Sequence, residues 1–349
     1  MIAALIPARN EASWIEAVVA NLSVQTRQPD RIIVISDNST DDTETLARRV
    51  GAEVWESVDN RHKKAGALNQ ALERLLTELD DSDYVFIQDA DTMPAPCWLE
   101  VALAWSASNP GAVISGRYAS PPTGRSLLRI VQENEFARDG RAINRRGNRT
   151  RIVVGTSALF PVATLRAVVR ARLDGTLPGP RVGLVYSTES ITEDYELTLA
   201  LKTLGFKTLS PPECDAVTDV MPTVPALWRQ RIRWQRGAFT DLRMYGLTRV
   251  TAWYYAAQAS WVFGMLTVVL IGLQIALVVS VTGHFSPAPI WIGTLPLFIG
   301  HRVISVQRTG AKGMLVAAAL VPETAYDFFR YAVYLTCAWK AMSGRETQW

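Results

Sequence analysis

Apolar runs and helix-forming segments alternate through residues 2–91 of the chain. Four apolar runs have the length of buried strands, and they read IAALIPA, RIIVISD, AEVWES and DYVFIQDAD. The segments between them repeat their apolar residues with the period of a helix, and one of them ends at Gly51. This alternation predicts an α/β fold with a parallel, doubly wound sheet, in which ligands bind beyond the carboxyl ends of the strands.

Acidic residues follow two of these predicted strands. Asp37 comes after the second strand, and Asp89 and Asp91 come after the fourth. Two carboxylates one residue apart repel each other unless a cation neutralises them. A divalent cation bound by one or two carboxylates and by substrate phosphates meets that need. An acidic pair in a loop is also often a solvated turn, so D-A-D alone leaves both interpretations open.

Two predicted helices begin with charged residues that could take part in chemistry. Lys64 lies at the start of KKAGALNQAL, where backbone amides favour anions and a lysine could reach a phosphate. Glu193 and Asp194 lie in TED, at the start of an amphipathic helix. These two carboxylates would either stabilise the helix dipole or supply a general base.

Composition narrows the classes of function. Lys and Arg number 36 against 33 Asp and Glu, and the resulting net charge of +3 argues against a dedicated nucleic-acid binder. The cysteines, Cys97, Cys214 and Cys337, are far apart and form no C-x-x-C pair. They therefore indicate neither a zinc site nor a disulfide framework.

Apolar residues dominate the C-terminal part of the chain, in three stretches at 257–281, 288–306 and 313–339. The first stretch has no charged residue and is long enough to cross a bilayer. The second is shorter, and the two together would form a helical hairpin. Positive residues flank both ends of this hairpin, which predicts that the flanks and the N-terminal domain lie in the cytoplasm.

The third stretch contains polar residues that a membrane span seldom has, namely Pro322, Glu323, Asp327 and Arg330. Intramembrane charges usually have partners or a functional pathway. The stretch would therefore either span the membrane with a polar face buried in protein or break at Pro322. The side of the membrane on which the C-terminus lies stays open.

An arginine- and tryptophan-rich segment, LWRQRIRWQRGAF, precedes these stretches and includes QRIRW at 230–234. Its helical spacing places Trp228, Ile232 and Phe239 broadly on one apolar side. An amphipathic helix with arginines is typical of a membrane surface, where the guanidinium groups contact anionic lipid heads. We therefore predict an interfacial helix region over residues 223–250, with one face turned to an active site.

Five motifs occur in one order along the chain: ISDNSTDDT, KAGALN, DAD, TED and QRIRW. In that order they resemble the processive, membrane-bound family 2 glycosyltransferases, which include the cellulose, chitin, hyaluronan, poly-N-acetylglucosamine and Nod-factor chitooligosaccharide synthases. The resemblance covers about residues 2–240 and the plan of the hydrophobic tail. It implies a GT-A-type, Rossmann-like domain at 1–222 that binds a nucleotide-sugar, and a C-terminal transmembrane helical region at 251–349 with two or three spans.

The same resemblance implies a donor site and a metal site. The implied donor-binding residues are Pro7, Ala8, Asn10, Glu11, Asp37, Lys64, Asp89 and Arg233. Asp91, together with Asp89, would coordinate Mg²⁺ or Mn²⁺ bridging the diphosphate of the donor.

The resemblance also implies the residues for catalysis and for the acceptor. Asp194 would be the general base, with Glu193 beside it. The implied acceptor-binding residues are Gly155, Thr156, Ser157, Gln230 and Trp234. Pro161 stands near a position where the family often has an arginine, so the chain departs from the pattern of the family beside the implied acceptor residues.

The activity so implied is an inverting, metal-dependent transfer of a sugar from a UDP-sugar to a glycan acceptor, forming β-glycosidic links processively at the inner membrane. UDP-N-acetylglucosamine and UDP-glucose are the favoured donors, and membrane lipids are the expected surroundings. With two or three spans, export would need a homo-oligomer, a partner or a short product. The alternatives are single-sugar transfer to a polyprenyl phosphate or other lipid acceptor, and a non-catalytic membrane scaffold or transport component.

Overall fold

The computed structural model describes residues 1–119, 126–284 and 289–343 of the chain. The chain divides into two compact units. The first unit comprises Met1–Thr123 and Asp139–Val220, and the second comprises Gly124–Arg138 and Met221–Trp349. One long helix, Leu127–Arg145, therefore contributes residues to both units.

Two sheets form the framework of the first unit. The larger sheet contains β1 (Ile2–Ala8), β2 (Arg31–Ser36), β3 (Glu53–Glu56), β4 (Tyr84–Gln88), β6 (Val113–Ser115), β8 (Ser157–Pro161) and β9 (Thr208–Leu209). The smaller sheet contains β5 (Met93–Pro94), β7 (Arg117–Ala119) and β10 (Asp215–Val217). The strand orders are β3-β2-β1-β4-β8-β6-β9 and β5-β10-β7.

Most neighbours in the larger sheet are parallel, which confirms the α/β fold predicted from the alternation of strands and helices. Strand β1 pairs in parallel with β2 and β4, and β2 pairs in parallel with β3. Strand β8 is the exception to the predicted parallel sheet, because it runs antiparallel to both β4 and β6. Its residues lie outside residues 2–91, so the alternation of strands and helices in that segment does not predict its direction.

Helices cover the sheet of the first unit and bury its apolar residues. They are α1 (Ile15–Ser23), α2 (Thr43–Arg49), α3 (Lys63–Glu78), α4 (Trp98–Ser108), the C-terminal part of α5 (Leu127–Arg145), α6 (Val162–Leu173) and α7 (Glu193–Thr203). Ile2, Ala4 and Ile6 of β1 share one core cluster with Leu22 of α1 and Trp98 of α4. Full burial of a large apolar side chain stabilises the fold by about 1.5–3 kcal/mol, so this cluster fixes the helices on the sheet.

The sheet topology brings several loops to one edge. Because β2, β1 and β4 are parallel neighbours, their carboxyl ends at Ser36, Ala8 and Gln88 lie at the same edge. The antiparallel β8 begins at that edge, where Ser157 pairs with Gln88. The loops that follow β1, β2 and β4 and the loop that precedes β8 therefore lie together at this edge.

The described part of the second unit is helical. Beyond the start of α5, its elements are α8 (Val224–Tyr245), α9 (Ala252–Thr282), α10 (Pro289–Ser305), a 3₁₀ turn (Gln307–Thr309), α11 (Gly310–Ala318) and α12 (Val321–Ser343). Thr223 caps α8, because its side chain accepts a hydrogen bond from the backbone N–H of Ala226, and Pro225 occupies the first turn.

Among the helices of the described ranges, only α9 is both long and apolar enough to cross a membrane. Its most apolar 18-residue segment has a mean hydropathy of 2.6. It contains the first predicted span at 257–281. Helix α10, at the position of the second predicted span, has 17 residues. At 1.5 Å per residue it is about 26 Å long, slightly less than the hydrocarbon thickness of a bilayer.

The third apolar stretch is divided between α11 and α12, as in the alternative that breaks it near Pro322. The interruption lies at Leu320, which has a left-handed φ of 59° that is uncommon for a residue with a side chain. Glu323 is 2% exposed and forms ion pairs with Arg138 and Arg302, and Asp327 also pairs with Arg302. The acidic side chains of this stretch therefore have partners inside the second unit.

Candidate active site

Asp37 is held in one orientation directly after β2. Its Oδ1 accepts hydrogen bonds from Asn38 Nδ2 at 3.0 Å, Ser57 Oγ at 2.7 Å and Asn60 Nδ2 at 2.9 Å. A Cβ atom at Gly66 would lie 2.0 Å from Oδ1 of Asn60, so this position of the KAGALN motif needs a glycine. The motif thereby supports Asp37 from the first turn of α3.

The other residues of the predicted nucleoside site lie beside Asp37. Pro7 and Ala8 belong to β1, and the carbonyl of Ala8 accepts a hydrogen bond from the Asp37 N–H at 2.9 Å. Asn10 has a left-handed φ of 58°, and its Oδ1 accepts a hydrogen bond from the Thr40 N–H at 2.8 Å. The loops after β1 and β2 are thus joined into one surface.

Lys64 connects three of the predicted motifs. Its Nζ contacts the carboxylate of Asp89, donates to the carbonyl of Gly155 at 3.0 Å and lies 3.6 Å from the carboxylate of Glu193. Burial opposes its charge, but Asp89 and Glu193 together raise the pKa of Lys64 well above its usual value. The ammonium group is therefore charged at neutral pH and neutralises only part of the negative charge around it.

Asp91 lies close to other carboxylates at this edge of the sheet. Its carboxylate accepts a hydrogen bond from the Thr92 hydroxyl at 3.3 Å, and burial followed by the charge of Asp89 raises its pKa. Burial and the charges of Asp91 and Asp89 raise the pKa of Glu11 in the same way. A nearby cation would stabilise the ionised form of these carboxylates, and carboxylate oxygens are ligands that Mg²⁺ prefers. The residues present therefore fit a divalent cation.

The candidate metal site contains two carboxylates, Asp89 and Asp91. In the described part of the chain, no group of three or more His, Cys, Asp or Glu residues is placed to hold a metal ion. Mg²⁺ is usually bound in proteins by one or two carboxylates together with substrate phosphates. Two carboxylates therefore match a cation whose remaining ligands come from the donor and from water.

Asp194 lies at the start of α7, next to Gly155. Its Oδ2 accepts a hydrogen bond from the Gly155 N–H at 3.3 Å, and its Oδ1 accepts one from the Tyr195 N–H at 2.8 Å. Burial, followed by the negative charge of Glu193, raises the pKa of Asp194 to about 6. The carboxylate is therefore ionised at neutral pH but more basic than an ordinary aspartate, which suits a general base.

This pKa predicts how turnover depends on pH if Asp194 is the base. Below about pH 6 the carboxyl group becomes protonated and cannot accept a proton, so turnover should fall about tenfold per pH unit on the acid side. The measurement is the pH dependence of kcat at saturating donor and acceptor. An acid limb near pH 4, where an ordinary aspartate titrates, would contradict the assignment.

The structure places the three predicted acceptor residues differently. Gly155 lies between Lys64 and Asp194, whereas the carbonyl of Thr156 accepts a hydrogen bond from the Asp89 N–H at 3.1 Å. The side chain of Ser157 is buried, and a Cβ atom at Gly116 would lie 1.9 Å from its hydroxyl oxygen. Only Gly155 of the three directly contacts the charged side chains of the site.

A comparison with protein families matches the N-terminal part of the chain, which includes the acidic residues Asp37, Asp89 and Asp91. Residues 3–168 match the family described as Glycosyl transferase family 2. The chain contains a glycosyl transferase family 2 domain. This confirms the family resemblance given by the motifs. Asp194 and helix α8 lie beyond the matched residues.

Curated relatives of the family 2 domain include two synthases. The poly-beta-1,6-N-acetyl-D-glucosamine synthase of Staphylococcus aureus is 27% identical over 239 residues, which cover 67% of this chain and 53% of that protein. The cellulose synthase catalytic subunit [UDP-forming] of Pseudomonas fluorescens is 27% identical over 218 residues, which cover 59% of this chain and 26% of that protein. The chain thus spans about half, or less, of the length of these relatives.

A solved structure resembles the chain over 99% of its length and supports the GT-A-like fold of the family 2 domain. It is the mannosyltransferase PcManGT from Pyrobaculum calidifontis in complex with GDP-Man and Mn²⁺, with a TM-score of 0.62 and 20% sequence identity over 88% of that chain. At this identity the likeness concerns the fold alone.

The remaining predicted residues, Gln230, Arg233 and Trp234, lie on α8 in the second unit. The apolar side of α8 packs on α12, where the ring centroids of Trp228 and Phe329 are 5.6 Å apart. Arg233 is exposed, whereas Trp234 and Gln230 are partly buried. Helix α8 is amphipathic as predicted, but its apolar residues contact protein, and its place at a membrane surface stays a prediction.

Arg231, inside QRIRW, has a different environment from Arg233. Its Nη2 donates a hydrogen bond to Oε2 of Glu135 at 2.6 Å, and its guanidinium carbon lies 4.5 Å from the ring centroid of Trp234. The arginines of this motif are therefore not equivalent, because Arg231 is fixed within the second unit and stacks on Trp234. The residue types alone did not distinguish them.

Two residues of the first unit have a place in the site that the sequence did not reveal. Asn69 is the last residue of KAGALN, and both ends of its amide hydrogen-bond to the backbone of Tyr186 at 2.9 Å. The side chain of Tyr186 lines a small cavity together with Asp194 and Gly155. Asn69 belongs to the KAGALN motif, but nothing in the sequence indicates its partner Tyr186.

Proposed function

We propose that the chain is an inverting, metal-dependent glycosyltransferase that moves a sugar from a UDP-sugar to a glycan acceptor and forms β-glycosidic links. The observation that supports it is the meeting of Lys64, Asp89 and Asp194 around Gly155 in a chain with a family 2 domain. A cationic group, a partly neutralised acidic pair and a basic carboxylate are the groups that such a transfer needs.

The chemistry assigns a separate task to each side chain. The acceptor hydroxyl attacks the anomeric carbon of the donor, and Asp194 removes the hydroxyl proton as the new bond forms. The bond from the anomeric carbon to the diphosphate breaks in the same step, and Lys64 would hold the departing phosphate oxygens. A single displacement inverts the anomeric centre, so an α-linked donor gives a β-linked product.

A divalent cation completes the proposed donor site. Asp91 and Asp89 would hold Mg²⁺ or Mn²⁺, which supplies positive charge to the diphosphate leaving group. Asp37 would hold the nucleoside, since its fixed carboxylate lies at the edge of the sheet where ligands bind in folds of this type.

The donor proposal follows the printed names of the relatives. One relative is UDP-forming and the other makes a polymer of N-acetylglucosamine, so we favour UDP-glucose and UDP-N-acetylglucosamine. The test incubates the purified full chain with each nucleotide-sugar, measures released nucleotide and identifies the product by mass spectrometry. A polymer with β links supports the proposal, one added sugar on a polyprenyl phosphate supports single transfer, and absence of nucleotide release overturns both in favour of a scaffold.

The location is part of the same proposal. We place the enzyme in the inner membrane as a multi-pass protein, with the first unit in the cytoplasm and with α9 and α10 as spans. The apolar surface of α9 supports this, since large side chains such as Phe263, Leu270 and Leu277 are exposed. Cell fractionation with protease accessibility of the first unit tests it, and a first unit accessible from the periplasm would contradict it.

Two substitutions in the QRIRW motif should lower the turnover of the enzyme. If Arg233 holds a phosphate through its planar fork, Arg233→Lys should lower turnover by roughly tenfold or more, about 1.4 kcal/mol in the barrier. Trp234→Ala should have a similar effect because it removes a stacking surface for a sugar ring. Membrane association should stay unchanged, since α9 supplies it.

A matched control is available on the same helix. Arg229 is exposed like Arg233 but lies outside QRIRW, so Arg229→Lys should leave turnover near that of the wild type. Nucleotide release by purified variants in nanodiscs is the measurement. Equal turnover in Arg233→Lys and Arg229→Lys would show that the motif acts only through its charge.

A further inference from the structure

The segment 185–187 is buried although it belongs to no helix or strand. Val185, Tyr186 and Ser187 are between 2% and 6% exposed. Buried backbone groups outside regular structure need other hydrogen-bond partners. Asn69 of α3 supplies two of them, because its Nδ2 donates to the Tyr186 carbonyl at 2.9 Å and its Oδ1 accepts from the Tyr186 N–H at 2.9 Å.

A buried ion pair holds the same segment from another side. Arg172 of α6 is 4% exposed, and its Nη2 donates to the Val185 carbonyl at 3.1 Å and to Oε2 of Glu196 at 2.6 Å. Glu196 is fully buried and lies two residues after Asp194 on α7. The ion pair thus connects the segment to the first turn of the helix that carries Asp194.

The ring of Tyr186 lies on the wall of a small cavity that also includes Asp194. The other side chains of the wall are apolar, among them Ile87, Phe160 and Leu197. A ring at this place limits the water that can reach the carboxylate from within the fold. Burial raises the pKa of the Tyr186 phenol, so the hydroxyl stays protonated and is no rival base at neutral pH.

We propose that Tyr186 is a positioning residue for Asp194, with its ring forming the dry wall behind the carboxylate, its own backbone fixed by Asn69 and that of the preceding Val185 fixed by Arg172. The inference rests on the proposed role of Asp194 as the base. Fixed from behind, the carboxylate keeps its hydrogen bond to Gly155, and the carbonyl of Gly155 accepts a hydrogen bond from Lys64. Misplacement of a catalytic group by about 1 Å can cost about 100-fold in rate.

The charged groups near Asp194 must be considered before the test is designed. Glu193, on the same helix turn, raises the pKa of Asp194, and Lys64, from α3, lowers it. Neither is changed when Tyr186 is replaced. A shift of the acid limb in a Tyr186 variant therefore reports the loss of the dry wall rather than the loss of a charge.

The experiment compares Tyr186→Ala with Tyr186→Phe in the full chain, reconstituted in nanodiscs. Kcat, the KM for the donor and the pH dependence of kcat are measured. We expect Tyr186→Ala to lower kcat by roughly tenfold or more with little change in the donor KM, and to move the acid limb from about pH 6 toward lower pH. Tyr186→Phe keeps the ring and should match the wild type.

A second variant keeps the inference testable if Tyr186→Ala does not fold. Asn69→Ala removes the amide that fixes the Tyr186 backbone, and it should move kcat and the acid limb in the same direction by a smaller amount. An unshifted acid limb in the folded variants, or Tyr186→Phe as impaired as Tyr186→Ala, would overturn the inference while leaving wild-type transfer intact. A wild-type protein that transfers no sugar would instead overturn the proposed function and this inference with it.

Discussion

Asp194→Asn should abolish nearly all sugar transfer, by roughly 1000-fold, while the donor still binds with near wild-type affinity. The amide has the shape of the carboxylate, and its oxygen can still accept one of the hydrogen bonds that Gly155 and Tyr195 donate to Asp194. It cannot accept the proton of an acceptor hydroxyl. The loss should therefore appear in kcat, because the base acts on the acceptor and not on the nucleotide.

Two measurements decide this prediction. Turnover is followed by nucleotide release, and donor affinity is measured by calorimetry on the purified variant. Glu193→Gln is the matched comparison, since Glu193 is the neighbouring carboxylate on the same helix turn and lies 3.6 Å from Lys64. It should reduce turnover much less than Asp194→Asn. Donor binding lost together with turnover in Asp194→Asn would make Asp194 a structural or donor-binding residue instead.

The position of Asp37 and Asp89 at one edge of the sheet could be predicted from the sequence because its information is local. An apolar run followed by an acidic residue indicates the end of a buried strand, and parallel strands place such ends at one edge. Asp37 and Asp89 follow β2 and β4, and these strands flank β1 in the sheet. The pattern within residues 2–91 was sufficient for this, since β1, β2 and β3 are each followed by a helix.

The rest of the site depends on contacts between residues far apart in the chain. Asn69 and Tyr186 are separated by 117 positions, and no periodicity connects them. The antiparallel direction of β8 is likewise set by its partners β4 and β6, because an apolar strand has the same composition in either direction. Such features arise from tertiary packing, which a single sequence does not encode in any short segment.

The C-terminal region shows the same limit. Hydropathy identifies α9, where no charge interrupts the helix, but it does not tell whether a mixed stretch faces lipid or protein. Glu323 is buried against Arg302 and Arg138, and Arg138 is 185 positions earlier in the chain, on α5. The sequence offered two alternatives for this stretch, and the structure has a feature of each: the helix is interrupted at Leu320, and Glu323 is buried against partners in the protein.

Asp91→Asn should lower turnover by about 1000-fold, or about 4 kcal/mol in the barrier, because the donor diphosphate loses a metal ligand. A chelator should abolish wild-type turnover, and added Mg²⁺ or Mn²⁺ should restore it. Full turnover in the chelator would remove the metal from the mechanism. Partial turnover in Asp91→Asn at high Mn²⁺ would mean that Asp89 and the diphosphate hold the ion with lower affinity.

Thermal stability gives a second and independent test of the Asp91 site. The pKa of Asp91 is raised by burial and by Asp89, so the stability of the fold falls as the pH rises from the ordinary pKa of an aspartate to the raised one, and the loss is complete at any pH above both. Asp91→Asn removes this charge and should therefore unfold at the same temperature as the metal-free wild type at neutral pH, or at a higher one. Mn²⁺ should raise the Tm of the wild type, since a ligand that binds only the folded state stabilises it, but should raise that of Asp91→Asn much less. A variant that loses both activity and stability would show that Asp91 supports the fold, whereas loss of activity and of the Mn²⁺ response alone identifies it as a metal ligand.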